Sequence, residues 1–293
     1  MLRRVSTYIR QRGLLEKSHP VLVGVSGDAD SVALLDVLTR AGYKCVCAHC
    51  NFHLRGEESN RDEKFVRELC TWMGVEIEVA DFDTLLYARE NALSIEMAAR
   101  DLRYKWFDEV GRKHSCQAVA VAHHQNDQAE TVLLHLKRGT GLRGLAGMRP
   151  KSANPMAPES LPIVRPLLCT TRDYIEHYLR DKRGIQWVND STNSDTSISR
   201  NAIREQLRSY TKTEIEHIAQ TAEYMQGYID ILEGRHSREA GIVQLYEDIR
   251  EYGFVEIDKI YDALQRGEGG KVFTSKTHRA TIKKGKLCVT LVS

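Results

Sequence analysis

The feature that most limits what this chain can fold into is an alternation running through its first half. Short apolar runs of strand length recur, and each is followed by a stretch with helical spacing. Residues 20–26 (PVLVGVS) are Val-rich and end in small residues, after which apolar side chains return at Val32, Leu34, Leu35 and Leu38. Such a run predicts a buried parallel strand, and the spacing after it predicts a helix. Further strands are expected over 43–51, 75–80 and 117–122, with helices over 62–73, 94–111 and 127–137. Alternation of this kind predicts an α/β fold, a doubly wound parallel sheet.

Beyond it, residues 149–166 hold five of the six prolines and read as a long loop. A short helix is expected over 172–182, a polar loop over 189–200, a helix over 201–233, and a small α+β unit from about residue 241. The 293 residues thus divide into a larger domain over 1–210 and a smaller C-terminal helical/α+β domain over 211–293. With 42% hydrophobic and 28% charged residues, wholesale disorder is excluded. No apolar run reaches the ~18 residues of a membrane span. The charged first 20 residues lack the apolar block of a secretory signal, and seven cysteines, three crowded into one strand, do not suggest a disulfide framework. The expectation is a cytoplasmic protein with reduced thiols and no membrane partner.

The richest stretch is Ser26-Gly27-Asp28-Ala29-Asp30-Ser31, between the first strand and its helix. Amides at a helix start form an anion site, and small residues let a phosphate come close. The hydroxyls of Ser26 and Ser31 add donors, and Asp30 is a helix cap or a magnesium carboxylate. No Lys follows in the Walker manner. An ordinary capped strand–turn–helix explains the same residues equally well.

Other blocks decide the matter by resemblance. The loop is similar to the SGGxDS loop of the N-type ATP pyrophosphatases (PP-loop superfamily, adenine nucleotide alpha hydrolase-like). HCNFHLRGEES from His49, SIEMAARDLRY from Ser94, AHHQNDQAETVLLHLKRGTGLRGLAGM from Ala122 and RNAIREQL from Arg200 resemble, in order, blocks of the tRNA(Ile)-lysidine synthases. The resemblance implies a ligase that joins free L-lysine to C2 of the wobble cytidine of an isoleucine tRNA with a CAU anticodon. ATP is cleaved to AMP and pyrophosphate with Mg2+, through an adenylated cytidine. It also implies a PP-loop catalytic domain over 1–210 and a tRNA-contacting unit over 211–293. Many relatives continue into a further C-terminal domain near where this chain stops. The oligomeric state is left open, a homodimer among the options.

The residues sort onto that chemistry. The phosphate loop (residues 26–31) is expected to bind ATP, with His49 and Asn51 beside it at the end of the second strand. Asp127 and Glu130, three apart, share a helix face. By resemblance they take the lysine amino groups, with Asp30 and Asp127 as magnesium ligands; a solvated helix face is the plain alternative. Arg103 is expected on the lysine carboxylate or the ATP phosphates, unless it merely pairs with Glu96. Arg200 is the candidate for phosphoryl charge in the transition state. The catalytic set is therefore Asp30, Arg103, Asp127, Glu130 and Arg200. Arg138 and Arg143, in a basic Gly-rich stretch, and Lys276 and Arg279, in a tail with six Lys/Arg and no acid, are expected on tRNA phosphates. Cys47 and Cys50 of one strand point to opposite faces, which favours packing over metal binding and disfavours a sulfur-inserting activity.

One departure stands out: Asp28 occupies the place of the family's second glycine. If that position needs positive φ, Asp is poorly tolerated. A carboxylate there also repels a polyanion, by ~4 kcal/mol for a unit pair at ~4 Å and an effective dielectric of ~20. A weakened ATP- or RNA-binding module is the alternative that follows from Asp28, and a thiolation enzyme is the other.

Overall fold

The computed structural model of the chain describes residues 1–154, 159–188 and 199–292, with 199–201 described by backbone alone. After an N-terminal helix α1 (Leu2–Gln11), strand β1 (Val21–Gly24) leads into α2 (Ala29–Arg40), and β2 (Cys45–Asn51) into α3 (Glu57–Met73). Then come β3 (Glu76–Asp81), α4 (Thr84–Glu90), α5 (Ile95–Lys113), β4 (Val119–Ala120) and α6 (Gln125–Arg138). The short helix α7 (Leu142–Leu145), β5 (Lys151–Ser152), β6 (Ile163–Val164), α8 (Arg172–His177) and α9 (Ser199–Leu207) follow.

The sheet order is β3-β2-β1-β4-β6-β5, parallel except for β5 against β6. Successive residues of a strand face opposite ways, and the core divides accordingly. Val21 and Val23 pack with Leu34, Leu35 and Leu38 of α2, whereas Leu22 packs with Tyr104, Phe107 and Val110 of α5. Helices therefore cover both faces, as the near-continuous apolar strands require. Cys47 lies in the first cluster and Cys50 against the second, so the two thiols do face apart.

Several expectations change. The Pro-rich stretch read as a loop supplies β5 and β6, the latter extending the sheet beside β4. Two-residue strands between prolines leave no periodic trace. The loop after β3 contains α4, capped by Asp83 on the Leu86 amide at 2.9 Å. The expected 172–182 helix switches after His177 to a π-helical turn over Tyr178–Arg183. Its Arg183 and Tyr178 bind the buried Asp36 of α2. The expected 201–233 helix is broken between α9 and α10 (Lys212–Leu232).

The chain forms two compact units, one of residues 1–134 with 148–217, the other of residues 135–147 with 218–293. A single cut near residue 210 does not describe the excursion of 135–147. The second unit packs α11 (Arg238–Ile249) and α12 (Ile257–Gln265) against the antiparallel sheet β7 (Val272–Thr274), β8 (His278–Lys283), β9 (Lys286–Leu291). Ile242, Ile249, Ile257, Ile260 and Ala280 form its core. Within it, Gln226 of α10 donates to the Ala146 carbonyl at 2.7 Å, tying the Gly-rich excursion down.

Candidate active site

The loop after β1 is shaped by two glycines. A Cβ on Gly24, the last residue of β1, would lie 2.9 Å from the buried Phe107 ring, so any side chain there would have to displace that ring. Gly27 holds φ +98°, the left-handed region. Asp28 does not: its φ −71° and ψ 167° are ordinary extended values. The expected backbone strain at position 28 is thus absent, because the unusual turn is made one residue earlier.

Asp28 is instead the N-cap of α2. Its Oδ1 accepts from the Ser31 amide at 2.9 Å, and Ser31 Oγ accepts from the Ser26 and Gly27 amides at 3.2 Å each. Three amides of the turn, those of Ser26, Gly27 and Ser31, are thereby held by its own side chains. Burial raises the Asp28 pKa, and the neighbouring Asp30 charge adds to it, against the Ser31 bonds and Arg172.

Behind the loop runs a charged chain. His124, 5% exposed, closes the segment after β4. Its Nε2 lies 3.4 Å from Asp30 Oδ2 and its Nδ1 3.5 Å from Asp127 Oδ2, which also accepts from the His124 amide at 2.9 Å. Burial opposes the imidazolium, but Asp127 and Asp30 outweigh it and push the His124 pKa up to about 9. Burial likewise works against the Asp127 carboxylate, yet His124 and His123 hold its pKa below the usual range.

Arg172, at the start of α8, pairs with Asp30 and with Glu176 at 2.7 Å. Asn126 Oδ1 accepts from the Arg172 amide at 3.0 Å and so positions α8. Glu130, 2% exposed, pairs with Arg204 of α9 at 2.7 Å. Asp30 Oδ1 is buried with no hydrogen-bond partner among the described residues.

These groups line one cleft of about 1030 Å3, which opens beyond the carboxyl ends of β1, β2 and β4. Of the residues expected from sequence, Ser26, Asp28, Asp30, Ser31, Arg103, Asp127 and Glu130 all line it. Gly27 and Ala29 are buried in its frame. Arg103 does not turn back to Glu96; its guanidinium lies over the Phe52 ring, 5.2 Å from the centroid.

His49 and Asn51 are the correction: neither lines the cleft. His49 is 3% exposed, bonded through Nδ1 to the Val25 carbonyl at 2.8 Å, and burial lowers its pKa. Asn51 donates to Glu63 at 2.9 Å and receives the His53 amide. Both side chains brace the ends of β1 and β2. The Arg200 side chain lies outside the described residues. Arg138, Arg143, Lys276 and Arg279 are exposed on the second unit, where Arg143 pairs with Glu233 at 2.9 Å.

Three contributors were not assigned from sequence: His124, Arg172 and Arg204. Arg204 stands four residues after Arg200 in the RNAIREQL block, a spacing that shares a helix face. Arg172 carries no local signal; only the packing of α8 brings it to Asp30.

The chain matches two family descriptions, "PP-loop domain" over residues 2–230 and "TilS substrate binding domain" over residues 226–292. A tRNA(Ile)-lysidine synthase of Parabacteroides distasonis is 43% identical over 99% of this chain and 70% of its own length. One from Bacteroides thetaiotaomicron is 42% identical over 94% and 68%. Among solved structures, the U34-tRNA thiolase NcsA of Methanococcus maripaludis, with its [4Fe-4S] cluster, aligns at a TM-score of 0.60. It shares 16% identity over 75% of this chain and 77% of that one, a likeness of fold alone. With a PP-loop match over most of its length and relatives above 40% identity over more than nine-tenths of it, this chain belongs to the PP-loop family and, within it, to the tRNA(Ile)-lysidine synthases.

Proposed function

We propose that the chain joins free L-lysine to C2 of the wobble cytidine in an isoleucine tRNA with a CAU anticodon, cleaving ATP to AMP and pyrophosphate. The observation that carries this reading is the shared cleft, where the phosphate loop, the Asp127/Glu130 pair and Arg103 converge.

Cytosine O2 is a poor leaving group. Transfer of AMP from ATP onto O2 releases pyrophosphate and leaves C2 electrophilic. A neutral lysine amine then adds at C2, AMP departs with O2, and the amine gives up a proton. The chain's residues suit each need. Ser26, Ser31 and the amides at the start of α2 receive the phosphates. Asp127 and Glu130 receive the lysine ammonium, and Arg103 its carboxylate. The His124 imidazole bridges two carboxylates and is placed to hold a proton within the site. Arg172 and Arg204, with Arg200 on α9, supply positive charge for the transferring phosphoryl group.

Asp30 and Asp127 would hold Mg2+. The orphaned buried oxygen of Asp30 fits that role, and one or two carboxylates plus phosphate oxygens satisfy this ion. When bound, the ion neutralises charge on the phosphates.

We assign the chemistry to residues 1–210. Contact with tRNA phosphates falls to 211–293 together with Arg138 and Arg143. We place this work on tRNA in the cytoplasm. No helix among the described residues is long and apolar enough to cross a membrane. Sulfur insertion is disfavoured by the placement of the thiols: Cys47 and Cys50 of β2 pack on opposite faces of the sheet.

The test is pyrophosphate release. Release that needs both lysine and the tRNA supports the reading. Release with a sulfur donor and not lysine points to thiolation, and none with retained ATP binding points to a binding module.

A further inference from the structure

A second hollow, of about 370 Å3, opens at the carboxyl ends of β2 and β3. Phe52 and Phe82 stack in its wall with ring centroids 5.7 Å apart and planes 24° from parallel. Trp106 meets Phe82 edge-on at 6.2 Å, and Arg103 lies over Phe52. The rim is polar: His53 Nε2 lies 2.8 Å from Asp81 Oδ1, and Asp83 stands beside them. Phe52 lines both this hollow and the catalytic cleft, so the two are neighbours that share one wall. Neither Phe52 nor Phe82 is fully buried, and both border open space.

We propose that this hollow holds an unpaired base of the RNA substrate, one that flanks the cytidine in the cleft. The inference rests on the function proposed above. Two partly exposed aromatic rings in the wall, with a guanidinium over Phe52, suit a nucleobase, which stacks whatever its identity. The carboxylates of Asp81 and Asp83 accept from the exocyclic amine of adenine, cytosine or guanine and repel phosphates. β3 is the edge strand, two strands from the phosphate loop after β1, or about 10 Å at ~4.8 Å per strand. The ATP phosphates thus have their own place, and the hollow remains for a neighbour of the reacting base. A base turned out of the anticodon loop needs such a receptor to stay out of its stack.

The test is a binding cycle with a CAU anticodon stem-loop RNA. The partners are Phe82→Ala, with Phe82→Tyr as the aromatic control, and RNAs abasic at one position beside the cytidine at a time. Thermal melting checks that each variant folds. Phe82→Ala is expected to weaken RNA binding about 5- to 150-fold, the equivalent of ~1–3 kcal/mol of stacking, with ATP affinity unchanged. One abasic position should cost the wild type a similar factor and cost Phe82→Ala nothing further, while Phe82→Tyr binds as wild type. A folded Phe82→Ala with unaltered RNA affinity overturns the proposal, and so does a loss that appears in ATP affinity instead. Failure of the functional reading shows separately, as wild-type protein that binds the RNA without lysine-dependent pyrophosphate release.

Discussion

Replacing Asp28 is the perturbation whose outcome the structure defines most sharply. Its carboxylate caps α2 at 2.9 Å from the Ser31 amide and lines the cleft where a triphosphate is proposed to rest. A unit charge pair at ~4 Å and an effective dielectric of ~20 repels by ~4 kcal/mol, an upper figure, since rearrangement of the loop and magnesium relieve it. The cost of the change is small, because glycine at an N-cap gives up only a few tenths of a kcal/mol. Asp28→Gly should therefore tighten ATP binding by about tenfold, or ~1.4 kcal/mol, below that ~4 kcal/mol ceiling. Asp28→Asn isolates the cause, since it keeps a good cap and removes the charge. Titration of ATP-magnesium by calorimetry, without RNA, reads both. Equal affinities for wild type, Asp28→Gly and Asp28→Asn would refute the electrostatic argument. Improvement in Asp28→Gly alone would trace the effect to shape.

Two further outcomes concern other parts of the molecule. His49 is buried with its pKa below the ordinary value near 6.5, so its contribution to stability is complete above about pH 6.5 and is lost as pH falls through the folded value. Chemical denaturation from pH 7.5 to 5 should show wild type losing more stability than His49→Gln, and parallel profiles would remove His49 as a cause. For RNA, exchanging Arg138, Arg143, Lys276 and Arg279 for Gln should reduce the slope of log affinity against log salt by up to about 3–4, at ~0.7–0.9 per phosphate contact. An unchanged slope would take these side chains off the RNA; Arg143, already paired with Glu233, is expected to contribute least.

The doubly wound sheet was legible because each central strand is a continuous apolar run and each helix after it a periodic one. What stayed hidden had no period to read. The strands of two residues at Lys151–Ser152 and Ile163–Val164 are defined by pairing alone. In the site, spacing put Asp127 and Glu130 on one helix face, and the resemblance, not the spacing, pointed that face at a ligand. His49 and Asn51 misled because a polar residue at a strand end can face a ligand or its own backbone, and only the fold distinguishes the two; here Val25 and Glu63 claim them. Arg172 reaches Asp30 across 142 residues of sequence, a distance over which no local pattern carries information.

The proposed chemistry requires two small molecules to sit in one cleft. A crystal structure with a non-hydrolysable ATP analogue, magnesium and lysine is its most direct measurement. The triphosphate should lie at the Ser26–Ser31 turn against the first amides of α2, and the lysine ammonium between Asp127 and Glu130. Either ligand bound away from the cleft, with Asp127 and Glu130 facing only protein groups, would contradict it.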